Sequence, residues 1–235
     1  MPMVHSTQRM IEVVLAALLL CACQTKSVRP PSAPSTTPNV DTTGATRYQV
    51  DAAASDVHIL AYRAGAMARL GHNHVISSKD VGGTLFLQED LKRSHVALTL
   101  PVASLVVDDA KSRSTEGEDF SAEVPQDARD GTRRNLLRPE VLDGDRFAKI
   151  ALQSVAVAGT RARPELTMRI TIKDVSRDVP LTATLQERDG AITVSGEFAI
   201  KQTDFGITPF SVALGALQVQ DQLKIKFSIV CRKQQ

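Results

Sequence analysis

The sequence has no tryptophan, two tyrosines and seven phenylalanines in 235 residues. So few flat rings cannot build a row of base-stacking platforms. With 28 basic against 26 acidic residues the formal net charge is only +2, and no basic stripe is visible. Both shortages speak against a nucleic-acid partner. Cysteine is equally scarce, with three in the chain, at Cys21, Cys23 and Cys231. Catalytic signatures are missing as well: there is no Gly-x-Ser-x-Gly elbow, no His-Glu-x-x-His, no Gly-Lys-Ser/Thr phosphate loop and no Gly-x-Gly turn. The chain therefore reads as a non-enzyme that requires no cofactor. Charged clusters such as Lys111–Asp119 and Asp127–Arg134 read as solvated surface. The unbroken apolar run from Val13 to Leu20 is also far short of the ~20 residues that a spanning helix needs.

That short run has the length of a signal-peptide core, preceded by Arg9 and a partly charged His5, with Glu12 as its one discordant neighbour. Leu20-Cys21-Ala22-Cys23-Gln24 follows and resembles the bacterial lipobox, with a leucine three residues before the cysteine and a small residue directly before it. Cys21 fits worse, because Leu20 would then take the small-residue position. The resemblance implies cleavage before Cys23, acylation of Cys23 and export; Gln24 in place of an aspartate implies the periplasmic side of the outer membrane. Residues 1–22 are thus expected to be a lipoprotein signal peptide, and residues 23–46 a flexible tether. Pro30, Pro31, Pro34 and Pro38 stand there among Ser and Thr, with too little apolar surface to offset ordering entropy. Residues 47–235 then form one domain of ordinary size. Its only remaining thiol, Cys231, cannot form an internal disulfide and reads as a small buried hydrophobe.

Within that domain the dominant pattern has period two. Leu166, Met168, Ile170 and Ile172 alternate with Glu165, Thr167, Arg169, Thr171 and Lys173. Val179, Leu181, Ala183 and Leu185 form a second apolar face, and Asp189-Gly190 predicts a two-residue hairpin turn. Ile192, Val194, Phe198 and Ile200 form a third face, and Leu223, Ile225, Phe227, Ile229 and Cys231 a fourth. Ser94–Pro101 places Val96, Leu98 and Leu100 inside. Phe147–Val157 changes phase, which predicts a bulge near Ser154. Val57–Ala64 and Val81–Gln88 are apolar on both faces and give no clean alternation. Between the third and fourth of these eight strands lies the charged, irregular stretch Lys111–Asp145. A helix is expected over Gln126–Arg138, begun near Pro125 and stopped before Pro139. Eight sequential antiparallel strands with one dry face fit an all-β closed barrel or a sandwich.

The order of short motifs from Tyr48 onward resembles the YceI-like family of lipid- and polyisoprenoid-binding proteins. Tyr48-Gln-Val50-Asp51 opens the domain, followed by Ser55-Asp-Val57-His-Ile59 and Leu70-Gly71-His72. Gly82-Gly83-Thr84-Leu85, Pro101-Val-Ala-Ser104-Leu105-Val106, Leu142-Asp143 and Arg146-Phe147-Ala-Lys-Ile150 come next. Ile170-Thr-Ile172-Lys173-Asp174 through Leu181, Thr203-Asp204-Phe205-Gly206-Ile207 and Val219-Gln-Asp221-Gln-Leu223-Lys-Ile225 complete the series. Two departures stand out: Asp174 where the family usually has glycine, and the doubled histidine of Gly71-His72-Asn73-His74. The resemblance implies a lipocalin-like antiparallel eight-stranded barrel, with a short helix or irregular insertion between strands three and four. Its apolar interior would hold an isoprenoid-type lipid or similar long amphiphile. Candidate wall residues are Leu98, Leu100, Met168, Ile170, Ile172, Leu181, Ile192, Val194, Phe198, Ile225, Phe227 and Ile229.

Two other readings stay open. His72 and His74 stand two apart, so on a strand both would point to one face and could offer imidazole nitrogens to a metal. Further donors would have to come from His58, Glu140, Asp204 or Asp221, and the protein would then be a periplasmic metal-binding stress or homeostasis protein. A barrel filled by its own side chains would instead be a scaffold lipoprotein. Asp221 shares the phase of Leu223 and Ile225, so it is either a wet strand end or a polar anchor for a ligand headgroup. Asp204 reads as the start of a turn.

Overall fold

The structure, a computed structural model, describes residues 41–234. The expected signal peptide, Cys23 and the tether as far as residue 40 lie outside the described residues. The last stretch assigned to the tether is already folded against the domain. The Gln88 side-chain amide donates to the carbonyls of Asp41 and Thr43 at 3.3 and 3.1 Å, and Thr46 pairs with Leu87. Residues 41–44 stay exposed, but their backbone is held by the Gln88 side chain instead of being left free.

The strands are β1 (Thr46–Val50), β2 (Asp56–Ala61), β3 (Arg63–Ala64), β4 (His74–Ser78), β5 (Gly82–Leu87), β6 (His95–Pro101) and β7 (Val106–Val107). Two helices follow, α1 (Ala110–Ser114) and α2 (Gln126–Leu137). Then come β8 (Lys149–Gly159), β9 (Pro164–Ile172), β10 (Val175–Arg188), β11 (Ala191–Lys201), β12 (Ser211–Val212), β13 (Leu217–Val219) and β14 (Gln222–Lys233).

Eight strands close a ring in the order β1-β5-β6-β8-β9-β10-β11-β14, with β14 pairing back to β1. Every pairing is antiparallel. The wall from β8 to β11 and β14 is made of long continuous strands. The rest is made of strands broken in two. β1 pairs with the last residues of β14 and β2 with its first half, so the two share one position in the ring, interrupted at Asp51–Ser55. β4 and β5 follow one another in the same way alongside β2 and β1, and β6 and β7 alongside β5 and β4. The expected count of eight therefore holds by position, although the half-strands β1, β4 and β7 were not among the expected strands.

Each break has a local cause. Asp51 caps a short 3-10 turn by accepting from Ala54 N–H, and the Val102–Ser104 turn starts at Pro101, which has no amide to donate to a ladder. The predicted bulge is present: the β8–β9 register shifts between Ser154 and Ala156. Asp189 and Gly190 both have positive φ, 52° and 75°, as a two-residue hairpin that matches strand twist requires. At the turn between β9 and β10 the left-handed residue is Lys173 (φ 57°), not Asp174, so no glycine is needed where the family usually has one.

At the end of the barrel away from the Asp189–Gly190 turn, β7 pairs only with β4 and leaves a gap before β8. The insertion fills it. Helix α2 runs over the expected residues, begun after Pro125 and ended before Arg138-Pro139, and packs against β7. The Arg133 guanidinium clamps it there by donating to the carbonyls of Leu105 and Ala103. The residues before α2 lie on the outer face of β2 and β4, where Phe120 packs with Leu60 and Val75, all at most 1% exposed, and meets Tyr62 edge-on. This cover explains why Val57–Ala64 lacked alternation: both its faces are dry. It also corrects the reading of Lys111–Asp119 as solvated surface, because Arg113 is buried and the Glu116 side chain is 3% exposed.

Candidate functional site: an apolar lumen with polar ends

The inward residues of the barrel do not meet in the middle. They enclose a cavity of about 340 Å³ that runs from Leu87 and Cys231 near β1 to His74, Thr132 and Asn135 beneath α2. Leu98, Leu100, Met168, Ile170, Ile172, Leu181, Val194, Phe198, Ile225, Phe227 and Ile229 all stand in its wall. Ile192 does not. It is buried in the core beside the Asp189–Gly190 hairpin, opposite Cys231, where it fills space among its neighbours. The wall also contains side chains that were not anticipated. Ile59, Ala61 and Ile76 come from the broken strands, and Leu136, Val141 and Leu142 from α2 and the turn after it. On α2, Thr132, Asn135 and Leu136 have the i, i+3, i+4 spacing of one helical face, the trace of that inward side in the sequence.

Polar groups reach the lumen at its ends. Toward β1, His95 faces Ser154, with Nδ1 and Oγ 3.1 Å apart, and Ser154 Oγ accepts from Val96 N–H at 3.1 Å. Burial lowers the His95 pKa, which favours the neutral ring. Cys231 lies in the same region, and burial pushes its thiol up to about 11, so the sulfur acts as an inert apolar wall atom.

At the α2 end, His74 Nδ1 is 2.6 Å from Asp108 Oδ2. Asp108 is fully buried and also accepts from Val75 N–H at 2.9 Å and from Arg113 Nη1 at 2.5 Å. Burial alone would raise the Asp108 carboxyl. The hydrogen bonds from His74, Val75 and Arg113 and the attraction of His74 outweigh it and hold the group below the ordinary carboxylate range. An ionised Asp108 accepts the Nδ1 proton, which turns His74 Nε2 toward the lumen, 3.4 Å from the Thr132 hydroxyl. Asn135 adds an amide to the same end.

This geometry does not assemble the histidine pair. His72 precedes β4 instead of sharing its face, and the two ring centres are 6.2 Å apart. His74 Nδ1 is committed to Asp108, and His58 Nδ1 lies 2.5 Å from Glu116 on the outer face. Among the described residues no group of three or more His, Cys, Asp or Glu side chains is placed to hold a metal ion. Asp221 is a strand-end residue. Its carboxylate accepts from the Thr203 amide and hydroxyl at 2.9 and 2.7 Å, hydrogen bonds that lower its pKa and keep it out of the lumen. Asp204 lies in the 3-10 turn Gln202–Phe205, as its sequence context implied.

Comparison with known proteins agrees with this architecture. No curated protein matches the sequence. Among solved structures, BcnA of Burkholderia cenocepacia superimposes with a TM-score of 0.56 at 17% identity, covering 77% of this chain and 98% of that one. A polyisoprenoid-binding domain from Saccharophagus degradans, implicated in plant cell wall breakdown, gives 0.51 at 12% identity, covering 80% and 98%. At these identities the likeness establishes a shared fold. The YceI-like domain itself matches residues 48–231, nearly the whole described barrel, and the chain belongs to the YceI-like family.

Proposed function

We propose that the protein is an exported lipoprotein that carries or buffers an isoprenoid-type lipid, or a similar amphiphile, inside its barrel. The observation that carries this reading is the lumen: a continuous apolar cavity with hydrogen-bonding groups confined to its ends. At about 340 Å³ it lies at the small end of ligand cavities, which run from ~300 to ~1,000 Å³. At ~30 Å³ per water-sized group that is space for about a dozen carbon groups. Burial of ~300 Å² of chain at ~25 cal/mol/Å² contributes ~7 kcal/mol before ordering costs, enough for useful binding. His74 Nε2, the Thr132 hydroxyl and the Asn135 amide would hold the headgroup.

Native mass spectrometry of protein purified without denaturant tests the carrier reading. The expected spectrum shows bound lipid of a few hundred daltons that is lost on replacing Met168 and Ile170 together by Phe, which fills the lumen. A bare mass from membranes rich in such lipids would leave the barrel without a cargo. The anchor is tested separately by growth with radiolabelled fatty acid: the wild-type protein should take up the label, and Cys23→Ser should not, with its domain still folded. Equal labelling of the two proteins, or none in the wild type, would remove acylation at Cys23 from the proposal.

A further inference from the structure

Seven large apolar side chains are exposed among the described residues, and five of them stand in two neighbouring loops: Met67 and Leu70 in one, Phe210, Val212 and Leu214 in the other. The small sheet ties these loops together. β13 pairs with β12 on one side and β3 on the other, and Met67 N–H donates to the Ala216 carbonyl at 2.7 Å. At Gly65 any Cβ would lie 2.5 Å from that same carbonyl, so the close approach of the two loops depends on glycine. The result is one apolar tip, not scattered single residues.

Its apex is held outward by unusual backbone. Ala213 and Leu214 both take left-handed φ, 51° and 56°, which side chains other than glycine rarely adopt. Leu214 gains no cover in return and is fully exposed. The patch also adjoins the cavity, since Phe210 is 41% exposed and stands in the lumen wall together with Val219. Charge at the tip has a single sign. Residues 60–72 carry Arg63 and Arg69 with no acid, and residues 205–220 carry no charge at all. Among the described residues neither arginine makes an ion pair; Arg63 donates to the Gly71 carbonyl and Arg69 is exposed.

We propose that this tip docks on the surface of a bilayer containing anionic phospholipid. Leu214, Val212 and Leu70 enter the headgroup region, and the two arginines meet lipid phosphates. An apolar apex with a cationic rim is the chemistry of an interfacial anchor, and it lacks the mixed-sign charges of a typical protein-binding rim. Docking would bring the Phe210 side of the lumen against the membrane. This extends the carrier reading to the place where cargo is exchanged.

Flotation with vesicles provides the test, using the full chain carrying Cys23→Ser so that no acyl chain contributes. The protein should float with phosphatidylethanolamine–phosphatidylglycerol vesicles and much less with phosphatidylcholine alone. Leu214→Ser should weaken flotation about tenfold, and Arg69→Gln about fivefold, in a salt-dependent way. Both residues are exposed, so the fold should be unaffected; Leu70→Ser provides a second apolar change. Equal flotation of the parent and Leu214→Ser proteins would overturn the proposal. So would a concentration-dependent dimer that Leu214→Ser abolishes, because the patch would then be covered by a second copy. Native mass spectra of the same variants separate the two readings: bound lipid without flotation refutes the docking surface alone, and flotation with an empty lumen refutes the carrier alone.

Discussion

The two walls of this barrel are built on different terms. From β8 to β11 and on to β14 the strands are long and unbroken, with one face on the lumen and the other in water, and each hairpin closes on the strand before it. The wall from β1 to β7 is assembled from halves, and its β2–β4 part is dry on both faces, with the lumen inside and the 108–124 segment outside. The first wall is stable through its ladder and one apolar face. The second depends on a separate segment staying in place. Two buried ionic clusters hold that segment: Asp108 with His74 and Arg113, and Glu116 with His58 and Lys226, whose ammonium is 2.6 Å from Glu116 Oε2.

Removing one partner of a buried cluster should therefore produce the largest effect. Asp108→Asn leaves Arg113 buried with its charge uncompensated and deprives His74 of its acceptor. The expected loss is about 3–5 kcal/mol in urea unfolding, with hydrogen exchange rising first in β2 and β4. A loss under about 1 kcal/mol, or exchange rising first in β9 and β10, would mean that the two walls do not differ as described. Phe120→Ala comes next. It removes the ring between Tyr62 and the Arg113 guanidinium, which lie 5.3 and 5.8 Å from it, and should cost about 3 kcal/mol. Met168→Ala in the lumen wall should cost less, about 2 kcal/mol, because its neighbours already border empty space.

Acid should distinguish the walls in a more graded way. For Glu116, burial would raise the carboxyl, but hydrogen bonds from His58 and Lys226 outweigh it and lower its pKa, as happens at Asp108. A carboxyl whose folded pKa lies below its unfolded value contributes stability that is present above the unfolded pKa, ~3.9 for Asp and ~4.3 for Glu. That stability is lost as pH falls through the folded pKa. Stability should thus decline first below about pH 6.5, where the unfolded chain protonates His95 and the buried ring resists, and again below about pH 4 as these carboxyls protonate. Asp108→Asn should flatten the acid limb as well as lower the whole curve. An unchanged slope in that variant would mean that Asp108 does not titrate as its hydrogen bonds require.

The same contrast decided what could be read from the sequence. Alternation in β9, β10, β11 and β14 gave the strands, their inward residues and the Asp189–Gly190 turn, because water on one face enforces a polar residue at every second position. In β2 the outer position His58 is 8% exposed and Leu60 1%, so no alternation survives. β1 and β4 are five residues each, too short for period two to rise above chance. On the long strands the lumen-facing residues followed the phase, Ile192 excepted, whereas the wall contributed by β2, β4 and the insertion, and the polar ends, did not. His74 meets Asp108 across 34 residues and Thr132 across 58, pairings that only the folded insertion creates. His72 beside His74 drew attention to metal chemistry because spacing was visible and the buried carboxylate was not.

One pair of residue types occurs in both walls and isolates burial as the variable. Arg113 and Asp108 are 9% and 0% exposed, whereas Arg169 and Asp178, facing each other across β9 and β10, are 32% and 43% exposed. The exposed pair has the better geometry, with Nε to Oδ1 and Nη2 to Oδ2 both at 2.8 Å, and its hydrogen bonds lower the Asp178 pKa. Solvent screening nevertheless limits such a pair to roughly 0.2–1 kcal/mol. A double-mutant cycle with Arg169→Ala and Asp178→Ala should return a coupling in that range, fading toward zero in molar salt. The equivalent cycle at Arg113 and Asp108 should return several times as much and barely respond to salt, because no counterion reaches a carboxylate with no exposed surface. If the exposed pair proved the stronger, hydrogen-bond geometry and not burial would set the difference between the walls.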